Sequence, residues 1–217
     1  MHNFDYVPEN MTKPKMNDLS ELMRFVQKYV EEREGFTFSY EFVGSSTMNM
    51  ITYEKNGNIG YDFDINIEPI IEGIRIDAKT VHKAIFNALR EYAGKYGYTH
   101  IEESTSVITI KAVDHYRSII KFSCDFAIVR HYKKKKEKIQ QYIRYNKAKG
   151  TYCWLDRGKG FYIEPKIKWL KKHNLWNEFR DYYLYKKNIN ENPDKHSRSI
   201  RAEAVNEMYW KYKSKIK

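Results

Sequence analysis

The 217-residue sequence has only two cysteines, Cys124 and Cys153, which excludes a disulfide framework and a cysteine-based zinc site. Both read as reduced thiols. None of the seven histidines stands at metal-ligand spacing from another histidine or a cysteine, which argues against zinc altogether. Gly-x-Ser-x-Gly and a Walker-type loop are also missing, which argues against serine-hydrolase and P-loop chemistry. No apolar run approaches a membrane span, and the opening MHNFDYVPENMTKPKM has neither a signal-peptide core nor a lipidation motif. A soluble, cytoplasmic protein is expected. There is no internal repeat, and the only low-complexity segment is a four-lysine run.

What is present supports a packed core: 41% of residues are hydrophobic and 16% aromatic, enough for one sizeable domain with a smaller appendage. The net charge of +11 is unevenly placed. Residues 1–129 carry 14 Lys and Arg against 19 Asp and Glu, whereas residues 130–217 carry 25 against 9. That asymmetry suggests a polyanionic partner for the C-terminal part, although lysine-rich helices are often simply well solvated.

Local patterns place the elements. Asn17 can cap a helix to about Glu34, with Leu19, Leu22, Met23, Val26 and Val30 as its apolar stripe and Gly35 as its stop. FTFSYEFV (36–43) alternates as a strand and runs into GSSTMNM; Asn56-Gly57 within TYEKNGNIGY signals a hairpin feeding the strand IGYDFDINI (59–67). Asp77 can cap a helix over about 78–96, ended by Gly97. Strands over 106–113 and 118–130 follow, and the remainder turns basic and aromatic, with helices over about 165–173, through LWNEFRDYYLYKK, and over 199–213.

The chemistry concentrates in three places. In IGYDFDINI, Tyr61, Phe63, Ile65 and Ile67 share one face, and Asp62, Asp64 and Asn66 share the other. Carboxylates two positions apart along a strand are about 7 Å apart and repel, so a cation is expected near them. Asp125 is a third carboxylate, isolated in the otherwise apolar strand SIIKFSCDFAIVR. Three acids on exposed strand faces can hold Mg²⁺, a hard ion that takes oxygen ligands and leaves positions open for substrate phosphates. Gly44 permits close backbone approach to a phosphate, and Ser45 offers a hydroxyl and an N–H, especially if a helix starts at Ser46 or Thr47.

Gly44-Ser45, then YDFDINI, then SCDFAIV resemble the hallmark of the nucleotidyltransferase superfamily related to DNA polymerase beta, over about residues 36–130. The resemblance implies an α+β fold, a mixed β-sheet with flanking helices and a basic helical C-terminal part. It implies that Asp62, Asp64 and Asp125 ligate Mg²⁺ or Mn²⁺ and that Asp125 helps deprotonate the acceptor. Gly44 and Ser45, with Ser46 beside them, would bind the phosphates of a nucleoside triphosphate such as ATP. The reaction implied is transfer of a nucleoside monophosphate to an acceptor hydroxyl on RNA (a tRNA end would suit the charge), protein, a small molecule or a second nucleotide, with release of pyrophosphate. Small bacterial members of the superfamily often belong to toxin–antitoxin or defence systems, which would imply a partner protein. The spacing of 18 positions from Gly44 to Asp62 exceeds that of compact members, and the excess is assigned to the TYEKNGNIGY hairpin. The segment STMNMIT after the turn lacks the second glycine that many members carry.

Other residues complete the expectation. Lys121 shares a face with Ser123 and Asp125, where it could pair with the carboxylates or contact a phosphate. Asn66 and Glu68 read as solvated strand-end residues. Residues 1–130 form the expected catalytic core and residues 131–217 a basic, aromatic-rich helical region packed on it. There Lys133, Lys134, Lys135, Lys136, Lys171 and Lys172 would face a polyanion such as RNA, while Trp169, Trp176 and Phe179 pack the helices on the sheet. The alternative is a non-catalytic nucleic-acid-binding or interaction module retaining the fold.

Overall fold

The computed structural model of the chain describes residues 2–71, 76–134, 137–158 and 163–215. Two compact units divide them: Tyr6–Tyr53 with Gly57–Arg157, and chiefly Gly158–Lys217.

The first unit is a mixed sheet with helices on one side. Helix α1 (Glu9–Glu34) starts nine positions earlier than the Asn17 cap suggests, enclosing Pro14, and ends at Gly35 in the left-handed region. The apolar stripe explains the early start, because Thr12 is already buried in line with Leu19, Leu22, Met23, Val26 and Val30. Helix α2 (Ala78–Tyr92) is capped as expected: the Asp77 carboxylate accepts from the N–H groups of Lys79 at 2.8 Å and Thr80 at 3.0 Å.

The strands are β1 (Phe4–Tyr6), β2 (Thr37–Val43), β3 (Thr52–Glu54), β4 (Ile59–Ile70), β5 (His100–Glu103), β6 (Ile108–Asp114), β7 (Ile119–Lys134), β8 (Glu137–Asn146) and β9 (Thr151–Asp156). The main sheet runs β2-β4-β7-β6-β5, and β8 and β9 continue from β7. Only the β4–β7 pair is parallel among its described pairings. The Asn56-Gly57 turn exists, with Asn56 at φ 68°, but β3 pairs with β1 and not with β4, so no hairpin forms there.

A larger difference lies beyond residue 130. Strand β7 continues to Lys134, and β8 and β9 form a hairpin on it where a helical region was expected. The run HYKKKKEK hides the period-two alternation that resumes in KIQQYIRYN and TYCWLD, and the pairing that rewards it is supplied by β7 for the first and by β8 for the second.

The core fills the space between one sheet face and the two long helices. Phe63, Ile65 and Ile67 of β4, Cys124, Phe126 and Ile128 of β7, and Ile108 and Ile110 of β6 meet the buried stripes of α1 and α2. Each fully buried aliphatic or aromatic side chain stabilises the fold by about 1.5–3 kcal/mol. His82 of α2 is closed off with them, 4.8 Å from the Tyr152 ring, and burial lowers its pKa to about 4.

The second unit is helical, as expected from the sequence: α3 (Glu164–Lys172), α4 (Trp176–Asn188) and α5 (Ser197–Lys213), with Asn174 at φ 58° breaking α3 from α4. Leu170, Phe179, Ile200, Ala204 and Met208 are buried, Trp169 meets Tyr209 edge-on and Trp176 lies against Phe179. Lys186 pairs with Glu203 at 3.0 Å and Glu207 at 2.7 Å.

Candidate active site

Strand register decides what surrounds the acids on the face of β4 away from the helices. Asp64 stands opposite Asp125 across the parallel pair and opposite Val43 on β2, and Asp125 stands opposite Thr109 on β6. Two positions earlier the row reads Asp62, Ser123 and Lys111. Neighbouring strands lie about 4.8 Å apart, so Asp62, Asp64 and Asp125 occupy adjoining positions on one sheet face.

The turn after β2 brings Gly44 against the same row. Its φ is +72°, and a Cβ there would lie 2.6 Å from Asp64 Oδ2. The left-handed backbone favours glycine, and a Cβ there would also push the Asp64 carboxylate aside. Ser45 lies at the foot of a short 3₁₀ turn, Ser46–Met48, and its carbonyl accepts from the N–H groups of Met48 and Met50. Ser46 is buried and donates its hydroxyl proton to the Val43 carbonyl at 2.9 Å, which ties the turn to the end of β2.

Two hydroxyls hold the acids. Ser123 Oγ donates to Asp62 Oδ1, and Thr109 Oγ1 donates to Asp125 Oδ1 at 2.6 Å. Burial is the main cause that raises the Asp125 pKa from its ordinary value; the Thr109 bond opposes it, while Asp62 adds like-charge repulsion.

Lys111 acts on Asp125 by its charge, but its ion pair is with Glu102 at 2.6 Å. Lys121 pairs with Asp114 at 3.3 Å and not with Asp62, Asp64 or Asp125. Gly60 is a further requirement, because a Cβ there would lie 1.9 Å from the Lys121 carbonyl oxygen.

Asn66 and Glu68 are not solvated strand ends. Asn66 is buried and donates to Glu41 at 3.3 Å, while Glu68 accepts from the His131 backbone N–H at 3.0 Å. Ser123 was within reach of sequence reading, since it shares a face with Asp125; Thr109, Lys111 and Gly60 needed the register.

The donor set is oxygen only, which suits a hard divalent cation. Among the described residues no three His, Cys, Asp or Glu side chains are drawn together as a ready ion cage; Asp62 and Asp125 are each turned to a hydroxyl. The three acids stand at adjoining positions of one strand face with Gly44 against Asp64, and as oxygen donors they fit such an ion in chemistry. Of the polyanion set, Lys133, Lys171 and Lys172 are exposed, Lys171 lying 4.4 Å from the Trp176 ring. Lys135, Lys136 and the side chain of Lys134 lie outside the described residues.

Solved structures share this arrangement of elements. The Vibrio cholerae DncV cyclic AMP-GMP synthase in complex with nonhydrolyzable GTP superposes with a TM-score of 0.64 at 14% identity, covering 93% of this chain and 68% of that one. The fold is the nucleotidyltransferase fold. Escherichia coli DncV in its 3'-deoxy GTP bound form gives a TM-score of 0.58 at 13% identity, over 93% of this chain and 68% of that chain. The Bradyrhizobium diazoefficiens CD-NTase CdnG in complex with GTP gives 0.51 at 15% identity, over 96% of this chain and 49% of that chain. This nucleotidyltransferase-fold chain thus spans about half the length of CdnG and about two thirds of DncV. No protein-family model and no curated protein matches the sequence. Among the described residues no helix is long and apolar enough to cross a membrane.

Proposed function

We propose that this chain is a divalent-metal-dependent nucleotidyltransferase, moving a nucleoside monophosphate from a nucleoside triphosphate to an acceptor hydroxyl and releasing pyrophosphate. The observation that carries the reading is the seating of Gly44 against Asp64, which stands directly opposite Asp125 and beside Asp62 on one sheet face. A phosphate-binding turn and a set of acids far apart in sequence are thereby joined at one place.

Asp62, Asp64 and Asp125 would hold Mg²⁺ or Mn²⁺, which when bound supplies charge neutralisation on the triphosphate. The Gly44-Ser45 turn offers close backbone approach and a hydroxyl to the phosphates. The acceptor oxygen attacks the α-phosphorus, the bond between that phosphorus and the α–β bridging oxygen breaks, and pyrophosphate departs. Asp125 takes the acceptor's proton, a role consistent with the raised proton affinity that burial gives it.

Two acceptors have support. A second nucleotide is favoured by the fold neighbours, one of which holds the linear intermediate 5' pppA(3',5')pG. An RNA end is favoured by the basic balance of residues 130–217. The second reading, a binding module without catalysis, draws on the absence of a ready ion cage among the described residues.

The test is incubation of the full chain with each α-labelled nucleoside triphosphate and Mg²⁺ or Mn²⁺, with and without cellular RNA, beside Asp62→Ala. Label entering RNA, or a small product formed from nucleotides alone, names the acceptor if it requires Asp62. No transfer, with salt-sensitive RNA retention unchanged in Asp62→Ala, supports the binding module.

A further inference from the structure

Six polar side chains are buried among the described residues, and Ser46, Asn66, Thr109 and Ser123 are four of them, all at the acidic sheet face or its turn. A buried hydroxyl must be bonded to offset its lost hydration. Thr109 and Ser123 meet that demand by donating to Asp125 and Asp62.

These donors are neutral, which matters for a cation site. A lysine or arginine in the same place would cancel the carboxylate charge and compete with an incoming cation. A hydroxyl fixes the carboxylate while leaving its charge, and takes one of the roughly four lone-pair positions it offers. Lys111, in the same row as Ser123, is paired instead with Glu102.

We propose that Thr109 and Ser123 are positioning residues, whose hydroxyls orient Asp125 and Asp62 for a divalent cation without neutralising them. The role rests on the nucleotidyl-transfer reading of this face. It extends the site beyond the three aspartates to a hydroxyl on each of two neighbouring strands, β6 and β7.

The experiment uses the full chain with Thr109→Val, Thr109→Ser, Ser123→Ala and, as reference, Asp64→Ala. Mn²⁺ binding without nucleotide is followed by the electron-spin signal of the free ion, and label transfer gives kcat and KM. Loss of a supporting hydrogen bond typically costs about 10–100-fold in metal affinity or activity. Thr109→Val and Ser123→Ala are expected to weaken Mn²⁺ binding by about tenfold and to lower kcat more than they raise KM, with Thr109→Ser restoring both. Ser123→Ala, which removes a single oxygen, carries the test if Thr109→Val does not fold. Mn²⁺ binding and kcat that are unchanged in folded Thr109→Val and Ser123→Ala, but lost in Asp64→Ala, overturn the positioning role alone. Values unchanged in all three overturn it together with the nucleotidyl-transfer reading.

Discussion

On one face of β4, Phe63, Ile65 and Ile67 are sealed against α1 and α2; on the other, Asp62 is exposed, Asp64 is half-buried and Asn66 is closed in beside Glu41. The two faces alternate along a single strand, yet different forces shape them. The apolar face gains from contact area and tolerates apolar side chains of similar volume best. The acidic face gathers like charges that oppose one another, and its buried polar groups must be bonded one by one. The first face accounts for the fold, and the second is where the structure accepts an energetic cost that packing alone does not explain.

The largest effects should separate the faces cleanly. Phe63→Ala is expected to lower stability by about 3–5 kcal/mol, read by denaturant unfolding. Asp64→Ala should leave stability within about 0.5 kcal/mol, or raise it by relieving repulsion, while transfer falls about 10³-fold or more through loss of several kcal/mol of charge stabilisation. A strongly destabilised Asp64→Ala would assign that carboxylate a structural role and erase the contrast.

Gly44→Ala sharpens the link between turn and acid. Its Cβ would displace the Asp64 carboxylate, and its φ is strained for any L residue, so a loss of about 1–3 kcal/mol is expected. Transfer should fall further than this modest destabilisation explains. Full activity in Gly44→Ala would show that the turn and Asp64 act separately.

The smallest effect is a pH slope, opposite in sign for the two sides of the sheet. Burial lowers His82, so its stabilising contribution is complete above the ordinary 6.5 and is lost as pH falls toward about 4. His82→Leu should flatten the fall in melting temperature across that window. Burial raises Asp125, so its contribution is complete below the ordinary 3.8 and is lost as pH rises through the raised value. Asp125→Asn should therefore raise melting temperature at neutral pH and change it little near pH 3.

Much of this was legible in the sequence where the signal is local. Asp77 and Gly97 bracket a helical segment through their own backbone chemistry, and period two separates Phe63 from Asp64 without reference to any other strand. The three aspartates stood out as a group by their order after Gly44-Ser45, while their meeting on one face needed the β4–β7 register. Residues whose meaning depends on register were not legible: Thr109 becomes a partner of Asp125 only through the β6–β7 pairing, and Lys111 meets Glu102 only through β5–β6. The strands beyond residue 130 were hidden for the same reason, since β8 finds its partner in β7 while the run of lysines that precedes it suggests a solvated segment.

The most direct measurement of the central claim is paired, on one preparation of the wild type and one of Asp62→Ala/Asp64→Ala. Thermal melting is recorded for both, and both are incubated with α-labelled ATP and GTP and Mg²⁺, with the products separated by chromatography. Equal or higher melting of the double variant is expected, with labelled product from the wild type alone. Labelled product from both proteins, or a double variant that melts well below the wild type, would contradict it.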